Sequence, residues 1–241
     1  MIEASEIKEL IQRIEKLSIE EAMGLLTDLF PNEVIFSTSF GQEDQVITQK
    51  IANNKLPIEI FTLDTGRLFY ETYDLWSKTI VKYGVSIKPF YPNTAAVEDL
   101  VSSNGINGFY QSVENRKSCC YVRKVEPLKR ALQGNKVWIT GLRAEQSPNR
   151  QTMQLLEWDE GNQILKYNPL LHWTMEGMLK YIKEESIPYN TLHDKGFVSI
   201  GCAPCTRAIM PGEDARAGRW WWEASQKECG LHEQGAIANN S

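Results

Sequence analysis

The chain of 241 residues has room for one large domain or two small ones, and 42% hydrophobic with 24% charged residues is ordinary for a folded protein. Its 26 basic and 31 acidic residues give a formal net charge of -5, which argues against a general nucleic-acid-binding protein. No apolar stretch approaches the about 18 residues of a membrane span, and the N-terminus lacks the basic and apolar segments of a signal peptide.

Predicted helices and strands alternate through the first 140 residues. Residues 4–29 have the apolar spacing of two amphipathic helices, and Val34–Phe36 reads as a buried strand. The pattern then predicts a helix over 42–53, a strand over 58–61, a helix over 67–83, a strand over 85–90, helices near 94–103 and 121–133, and a strand over 136–140. This alternation predicts an α/β fold, with a parallel sheet flanked by helices.

The pattern changes after Gly141. Residues 152–158 and 163–167 form a predicted hairpin, and Thr174 is a predicted cap for a helix that runs to Glu184. We predict one α/β domain with a C-terminal segment that folds back over it and a frayed end at 235–241. The predicted boundaries are 1–30 for the N-terminal helices, 31–219 for the α/β domain and 220–241 for a C-terminal tail.

Small polar residues follow two of the early predicted strands. Ligands of parallel sheets sit beyond the carboxyl ends of the strands, where backbone N–H groups can approach a phosphate. The alternative is an ordinary strand-to-helix turn, and neither segment is a Walker loop or a dinucleotide-binding glycine motif. The residues predicted to line a substrate site here are Ser37, Thr38, Ser39 and Gly41 after the first strand, and Asp64, Thr65 and Gly66 after the second.

The chain has five cysteines, and the odd number favours reduced thiols in a cytoplasmic protein over a secreted disulfide scaffold. Four of them form an adjacent pair, Cys119-Cys120, and a C-x-x-C motif, Cys202 to Cys205. Four thiolates suit zinc or an iron–sulfur cluster, and adjacent side chains diverge too far to close easily on one ion. The spacing therefore favours a [4Fe–4S] cluster, with zinc, a redox disulfide or four unrelated buried thiols as alternatives.

Basic residues surround these cysteines, as an anionic thiolate centre requires. In a helix over 120–132, Lys124 lies one turn from Cys120 on the same face, although a solvated surface lysine is the alternative. Arginines in loop-like contexts could converge on a phosphate or sulfate, whereas each taken alone reads as a surface residue. The arginines in question are Arg143, Arg150, Arg216 and Arg219.

The fifth cysteine, Cys229, lies in a glycine-containing tail just after the run of tryptophans at 220–222. Such a thiol is a poor structural residue, so we predict that Cys229 is a nucleophile, with an incidental exposed thiol as the alternative. His232 lies three residues further on and is placed to assist. The tryptophan run is predicted to anchor the base of the tail.

These motifs together resemble a known family, the assimilatory, thioredoxin-dependent adenylyl-sulfate (APS) reductases of the APS/phosphoadenylyl-sulfate (PAPS) reductase family. The resemblance covers about residues 33–232, and its most specific part is the cysteine pattern together with the terminal Glu-Cys-Gly-Leu-His. The other matching segments are Ser37 to Gly41, Leu63 to Gly66, Arg123 to Leu128, Gly141 to Arg143 and Arg216 to Trp220.

The resemblance implies an adenine nucleotide alpha-hydrolase (PP-loop-like) fold with a mobile C-terminal tail. It implies that APS is reduced to sulfite and AMP through a sulfonate on Cys229, in sulfate assimilation and cysteine biosynthesis. The reductant would be thioredoxin or a glutaredoxin-like protein. The implied roles are a [4Fe–4S] cluster on Cys119, Cys120, Cys202 and Cys205, and phosphosulfate binding by Lys124, Arg143, Arg216 and Arg219, with His232 also at the substrate.

Two alternative functions stay open at this level. The first is reduction of PAPS, alone or beside APS; family members that use PAPS typically lack the four cluster cysteines. The second is a non-enzymatic iron–sulfur or thiol sensor, which would need neither a nucleotide pocket nor the terminal Cys229. We expect no nucleic-acid or membrane partner, and the oligomeric state is left open, a homo-oligomer included.

Overall fold

A computed structural model of the protein describes residues 4–146 and 150–223. The chain divides into two compact units that alternate along the sequence. The first unit comprises Met1–Phe61, Leu75–Lys88 and Gly134–Tyr189, and the second comprises Thr62–Asp74, Pro89–Gln133 and Asn190–Ser241. The boundaries predicted from the sequence at residues 30 and 219 stay a prediction.

Six strands form one sheet in the described ranges, and most of it belongs to the first unit. The strands are β1 Val34–Ser37, β2 Glu59–Leu63, β3 Ile87–Phe90, β4 Val137–Ile139, β5 Leu156–Asp159 and β6 Ile164–Tyr167, in the order β3-β2-β1-β4-β6-β5. β1 pairs in parallel with β2 and β4, β4 pairs in parallel with β6, and only the β5–β6 pair of the hairpin is antiparallel among these. The mostly parallel sheet confirms the predicted α/β class.

The helices that flank the sheet or build the second unit agree with the predicted alternation. Their bounds are α1 Ala4–Ile14, α2 Ile19–Leu29, α3 Gln42–Asn53, α4 Tyr70–Tyr83, α5 Thr94–Asn104, α6 Val113–Cys120, α7 Glu126–Leu132 and α8 Met175–Glu184. Thr174 caps α8 as predicted, because its Oγ1 accepts a hydrogen bond from the Gly177 N–H at 3.1 Å. None of the described helices combines the length and hydrophobicity that crossing a bilayer requires.

The first unit has a hydrophobic core between the sheet and its helices. β1 and β4 contribute side chains that are completely buried, among them Phe36 and Ile139. Helices α2, α3 and α8 cover them with apolar residues such as Leu26, Ile47 and Met178. This packing fixes the carboxyl ends of β1 and β4, where Ser37 and Gly141 lie.

One predicted helix begins earlier in the structure than the sequence pattern indicates. The single helix predicted over 121–133 is instead the end of a longer helical segment, in which α6 leads through a π-helical turn, Tyr121–Val125, into α7. Ser112 starts the segment by accepting a hydrogen bond from the Asn115 N–H. Pro127 explains the π turn, because it has no N–H to offer the carbonyl four residues earlier. Cys119 and Cys120 therefore lie within this helical segment, at the end of α6, rather than before it.

Three other elements begin later than the sequence pattern predicts. α4 starts at Tyr70 rather than at residue 67, β3 at Ile87 rather than 85, and β5 at Leu156 rather than 152. In the first case the backbone before the helix has other partners. The Arg67 N–H donates to Thr65 Oγ1 and the Arg67 carbonyl accepts from the Ala203 N–H, so neither group is available to the helix.

Candidate active site

The four cysteines of the two motifs line one cavity of the second unit, here called the cysteine cavity. Cys119 and Cys120 come from the last turn of α6, and Cys202 and Cys205 flank a short 3₁₀ turn in which the Cys205 N–H donates to the Cys202 carbonyl at 2.9 Å. Cys119 is half-buried and the other three are buried. The space that these residues line, its open mouth included, is about 380 Å³.

The arrangement of ligands differs from that of a mononuclear metal site. In the described ranges, no three histidine, cysteine, aspartate or glutamate side chains converge closely enough to hold one metal ion. The thiols nevertheless share one electrostatic environment, because Cys202 acts on the ionisation of both Cys119 and Cys205. The structure thus brings the two cysteine motifs together at one cavity, and the predicted [4Fe–4S] cluster on them stays a prediction.

Three of these thiols, Cys119, Cys202 and Cys205, differ in how easily they ionise. Burial raises the pKa of Cys119, and burial together with the neighbouring Cys202 raises the pKa of Cys205 to about 12. Burial also acts to raise the pKa of Cys202, but Lys124, the Thr65 hydroxyl and Arg219 outweigh it and lower that pKa below its usual value. Of these three, Cys202 is therefore the thiol best prepared to be a thiolate ligand.

Cations line the same cavity: Arg67, Arg116, Arg123, Lys124 and Arg219. Within the described part of the chain, three buried N–H groups of cavity-lining residues lack a hydrogen-bond partner, namely Arg123 Nε, Arg219 Nε and Trp220 Nε1. A buried donor without an acceptor is costly, so these groups indicate an occupant that accepts hydrogen bonds. The cavity is thus prepared for a negatively charged group.

The loop Asp64-Thr65-Gly66 leads from β2 to the cysteine cavity. The Asp64 carboxylate accepts hydrogen bonds at 2.8 Å from the Gly66 N–H and from the Tyr73 hydroxyl. Burial and the neighbouring Asp64 raise the pKa of Tyr73 to about 12, so this phenol stays protonated as a donor. Gly66 has a φ of 70°, in the left-handed region that favours glycine.

Thr65 connects this loop to the thiols. Its Oγ1 lies 3.3 Å from Cys202 Sγ, and its carbonyl accepts a hydrogen bond from Arg123 Nη1 at 2.7 Å. The sequence predicts these loop residues as a phosphate cradle. In the structure, Asp64 and Thr65 are engaged with neighbours of the second unit, and their role at the substrate stays a prediction.

Arg219 is the predicted anion-binding arginine that lines the cysteine cavity. Arg219 is buried, and its hydrogen bonds to Ser199 Oγ at 3.4 Å and to the Ile200 carbonyl at 3.5 Å are long. Gly201 makes this position accessible, because a Cβ there would lie 2.4 Å from Arg219 Nη2. Arg216 lies three residues before Arg219, and its backbone carbonyl accepts a hydrogen bond from the Arg219 backbone N–H at 2.9 Å.

The loop after β1 contains the predicted residues of the first unit, and it is organised around a carboxylate that the sequence prediction overlooked. Asp44 Oδ2 accepts hydrogen bonds from the Ser39 N–H at 2.7 Å, the Ser39 hydroxyl at 2.8 Å and the Gly41 N–H at 3.2 Å. Thr38 Oγ1 accepts from the Phe40 N–H, and Ser37 Oγ accepts from Trp138 Nε1. Asp44 is the third residue of α3 after its N-cap Gly41, and an acidic residue three positions after an N-cap is the feature that could have identified it.

Arg143 lies in the first unit and is fully buried. Its Nε donates to Glu43 at 2.8 Å, and its Nη1 donates to Glu145 at 3.1 Å and to the Trp173 carbonyl at 3.3 Å. The guanidinium is therefore surrounded by carboxylates rather than open to a phosphosulfate. Its predicted role in substrate binding stays a prediction, as do those of the tail residues Cys229 and His232, which lie outside the described residues.

Comparison with known proteins identifies the family. The sequence pattern of the phosphoadenosine phosphosulfate reductase domain matches residues 33–208. Adenosine 5'-phosphosulfate reductase of Allochromatium vinosum is 52% identical over 202 residues, which are 83% of this chain and 79% of that protein. The protein of the same name from Sinorhizobium fredii is 49% identical over 229 residues, which are 95% and 91% of the two chains.

A solved structure agrees with this assignment. Phosphoadenylyl-sulfate reductase from Candida auris, in a phosphate complex, superimposes with a TM-score of 0.74 at 28% identity, and the alignment covers 87% of this chain and 98% of that one. The resemblance drawn from the sequence motifs is thereby confirmed, and so is the PP-loop-like fold that it implies, whereas the mobile C-terminal tail stays a prediction. The chain belongs to the phosphoadenosine phosphosulfate reductase domain family.

Proposed function

We propose that this protein is an adenosine 5'-phosphosulfate reductase, an oxidoreductase that converts APS into sulfite and AMP in the cytoplasm, for sulfate assimilation and cysteine biosynthesis. The observation that carries the proposal is the cysteine cavity with its surrounding cations. It occurs in a chain that is 49–52% identical to two proteins named for this activity.

The cysteine cavity fits a [4Fe–4S] cluster on Cys119, Cys120, Cys202 and Cys205. Four thiols line one cavity, and the partnerless N–H donors around it suit the sulfur atoms of an anionic cluster. Since two of the thiols have raised pKa values, loading the site releases protons. When bound, the cluster would supply negative charge and rigidity, and the reaction needs no electron from it.

The substrate is a phosphosulfate, and a thiolate that approaches it meets a like charge. Cations that neutralise the sulfonate and the leaving phosphate reduce this repulsion. We assign the task in the second unit to Lys124, Arg216 and Arg219, because Lys124 and Arg219 line the cysteine cavity and Arg216 adjoins Arg219. The hydroxyl loop of the first unit, Ser37 to Gly41, and Arg143 remain further predicted substrate contacts.

Cys229 is the proposed nucleophile. Its thiolate attacks the sulfur atom of APS, a bond forms between the two sulfurs, and the bond between sulfur and the AMP phosphate oxygen breaks with its electron pair on AMP. A thiolate of thioredoxin, or of a glutaredoxin-like protein, then attacks the Cys229 sulfur and releases sulfite. The second thiol of the reductant resolves the mixed disulfide, so the two electrons come from the reductant's dithiol.

The test is a comparison of APS and PAPS as substrates for the anaerobically purified protein, with thioredoxin and sulfite detection. We expect a higher kcat/KM for APS, with AMP as the nucleotide product. A higher kcat/KM for PAPS, with adenosine 3',5'-bisphosphate as product, would favour the activity named for the Candida auris relative. Absence of sulfite from either nucleotide would favour a sensor over an enzyme.

The cluster has its own test in Cys202→Ser. Removal of this ligand should abolish iron, acid-labile sulfide and the visible absorbance of the cluster, and most turnover with them. Ser118→Ala, an exposed position on the same helix as Cys119, is the control and should keep all of them. Stoichiometric zinc without sulfide in anaerobic wild-type protein would contradict the cluster.

A further inference from the structure

Two residues from distant parts of the chain hold the backbone inside the C-x-x-C motif. The Ala203 N–H donates to the Arg67 carbonyl at 2.8 Å. The Pro204 carbonyl accepts a hydrogen bond from the Tyr110 hydroxyl at 2.6 Å, a distance that is usual for a hydroxyl donor. All four residues belong to the second unit. The two inner residues of the motif are therefore fixed from outside it, one at its N–H and the other at its carbonyl.

The Tyr110 hydroxyl controls the peptide group that leads into Cys205. The Pro204 carbonyl and the Cys205 N–H belong to one planar peptide unit, so a partner that fixes one end also orients the other. The N–H end donates to the Cys202 carbonyl at 2.9 Å. Rotation of this peptide would break both hydrogen bonds. The hydroxyl therefore restrains the backbone that carries the Cys205 side chain.

Tyr110 is itself held in place on two sides. Its ring packs edge-on against Trp222, with the ring centroids 4.4 Å apart. The loop before it is fixed by Arg67, whose guanidinium donates to the Ile106 carbonyl and lies with Cζ 5.2 Å from the centroid of the Phe109 ring. The residue whose carbonyl anchors one end of the motif thus also steadies the residue that anchors the other end. None of these ring contacts needs the Tyr110 hydroxyl.

We infer that Tyr110 is a positioning residue for Cys205: through the Pro204 carbonyl, its hydroxyl holds the C-x-x-C turn in the shape that presents the Cys205 sulfur to the cysteine cavity. The inference rests on the proposed function, in which Cys205 is a ligand of a [4Fe–4S] cluster. Cys205 is buried and lines that cavity. A ligand that is oriented before loading needs less ordering when its bond to iron forms, so it is retained more firmly.

The experiment uses Tyr110→Phe, which keeps the ring and removes the hydroxyl. Wild type and variant are purified anaerobically, and iron, sulfide and the rate of iron loss to a chelator are measured. The variant should load and then lose iron about threefold to tenfold faster, the effect of one lost hydrogen bond. The Fe–S(Cys) stretching bands in its resonance Raman spectrum should shift, since they are sensitive to how each cysteine side chain is oriented.

Denaturant unfolding of the loaded proteins separates positioning from stability. A merely structural hydrogen bond would lower the unfolding free energy and leave the stretching bands at their wild-type frequencies, and this result would overturn the inference. An iron-loss rate and bands equal to those of wild type would overturn it too, because the turn would then hold its shape without the hydroxyl.

Tyr70→Phe is the matched control. It removes the same hydroxyl from a side chain of the second unit that is 80% exposed at the start of α4. Its iron content, rate of iron loss and stretching bands should equal those of wild type. Equal changes in Tyr70→Phe and Tyr110→Phe would assign the effect to a general property of the variants and overturn the inference.

If Tyr110→Phe does not load, Arg67→Lys takes its place. Lysine keeps a cation at the cavity and the carbonyl that holds Ala203, but it loses the guanidinium fork that steadies the loop before Tyr110. This variant should also lose iron faster than wild type. A wild-type rate in Arg67→Lys, beside a Tyr110→Phe protein that cannot be loaded, would make Tyr110 a requirement of the fold and overturn the positioning role.

Failure of the proposed function is read from the wild type alone. Wild-type protein that holds a cluster but makes no sulfite from APS or PAPS would contradict the proposed activity and leave the comparison of the variants valid. Wild-type protein that holds no cluster would overturn the inference as well.

Discussion

The ionisation of Asp44 is controlled by its surroundings in the first unit. Burial raises its pKa to about 6, although the hydrogen bonds from Ser39 and Gly41 act in the opposite direction. An aspartate in an unfolded chain has a pKa of about 3.9. The folded protein therefore binds this proton more tightly than the unfolded chain does, and the Asp44 contribution to stability falls as the pH rises from about 4 to about 6.

Asp44→Asn tests this linkage. The amide keeps an acceptor for the loop and cannot ionise, so the variant should lack the part of the pH dependence that Asp44 supplies. The difference in unfolding free energy between the two proteins should change by on the order of 2–3 kcal/mol between pH 4 and pH 7. Anaerobic denaturant titrations at a series of pH values measure it. If the unfolding free energies of wild type and variant differ by the same amount at every pH, then Asp44 has the ordinary pKa of an aspartate in the folded protein.

The two buried arginines of the predicted anion site should respond differently to truncation. Arg219 lines the cysteine cavity with long hydrogen bonds to Ser199 and Ile200, so Arg219→Ala should weaken APS binding by about 1.5–3 kcal/mol, read by isothermal titration. Arg143 is paired with Glu43 and Glu145, so Arg143→Ala should mainly reduce the unfolding free energy, by about 2–4 kcal/mol. If Arg143→Ala loses as much APS affinity as Arg219→Ala and keeps the wild-type unfolding free energy, Arg143 is a substrate contact.

At the scale of elements, the end of β4 can approach the start of α3 closely because the residue after β4 is a glycine, Gly141. A Cβ on Gly141, just after β4, would lie 2.2 Å from Asp44 Oδ1 and 3.2 Å from the Glu43 Cβ. Asp44 is short and buried, so it cannot move away without losing the hydrogen bonds that hold the loop at 39–41. The glycine therefore couples the ends of two neighbouring strands.

Gly141→Ala should accordingly destabilise the protein by about 1–3 kcal/mol and loosen the loop at 39–41. Gly24→Ala in α2 is the control, since its added Cβ would meet only Leu56 at 3.9 Å, and alanine is the better helix former. Denaturant unfolding gives the stabilities, and amide exchange of Ser39 and Gly41 reports the loop. Unchanged exchange in Gly141→Ala would show that Asp44 can adjust.

The helical segment from Val113 to Leu132 shows what the sequence pattern reveals about an element and what it does not. Its second half was predictable, because Arg123 to Leu128 is part of a recognisable motif. Its beginning was missed, since α6 carries charged residues and cysteines rather than an apolar stripe. The π turn depends on a single proline. The periodicity of apolar residues does not show how that proline changes the turn before it.

At the scale of the whole molecule, the strand–helix alternation was enough to predict the sheet, because each element is short and local. The spatial meeting of Cys119 with Cys202 was also predictable, from chemistry rather than periodicity, since four thiolates suit one centre. The pairing of buried charged side chains was not predictable. The Arg116–Glu223 pair joins residues 107 positions apart, and nothing in the local pattern specifies which carboxylate meets which cation.

The mechanism makes its strongest prediction for the C-terminal tail. Cys229 must first meet the sulfur of APS, in line with the leaving phosphate oxygen, and later present the sulfonate to a protein as large as thioredoxin. Two such tasks call for a tail that closes and opens again. Cys229→Ser should therefore abolish turnover and preserve AMP binding, because the proposed cations lie elsewhere, with Lys124 and Arg219 on the cysteine cavity.

Incubation of wild type with APS and no reductant should leave an adduct of about 80 Da on Cys229, the mass of an added SO₃ group. The same incubation of Cys229→Ser should leave none, and addition of thioredoxin to the wild-type adduct should release sulfite in one turnover. Intact-protein and peptide mass spectrometry locate the adduct, and titration with AMP verifies that the variant is folded. Sulfite production by Cys229→Ser would require a different sulfur acceptor, and the cysteine cavity, with the lowered pKa of Cys202, would be the place to look for it.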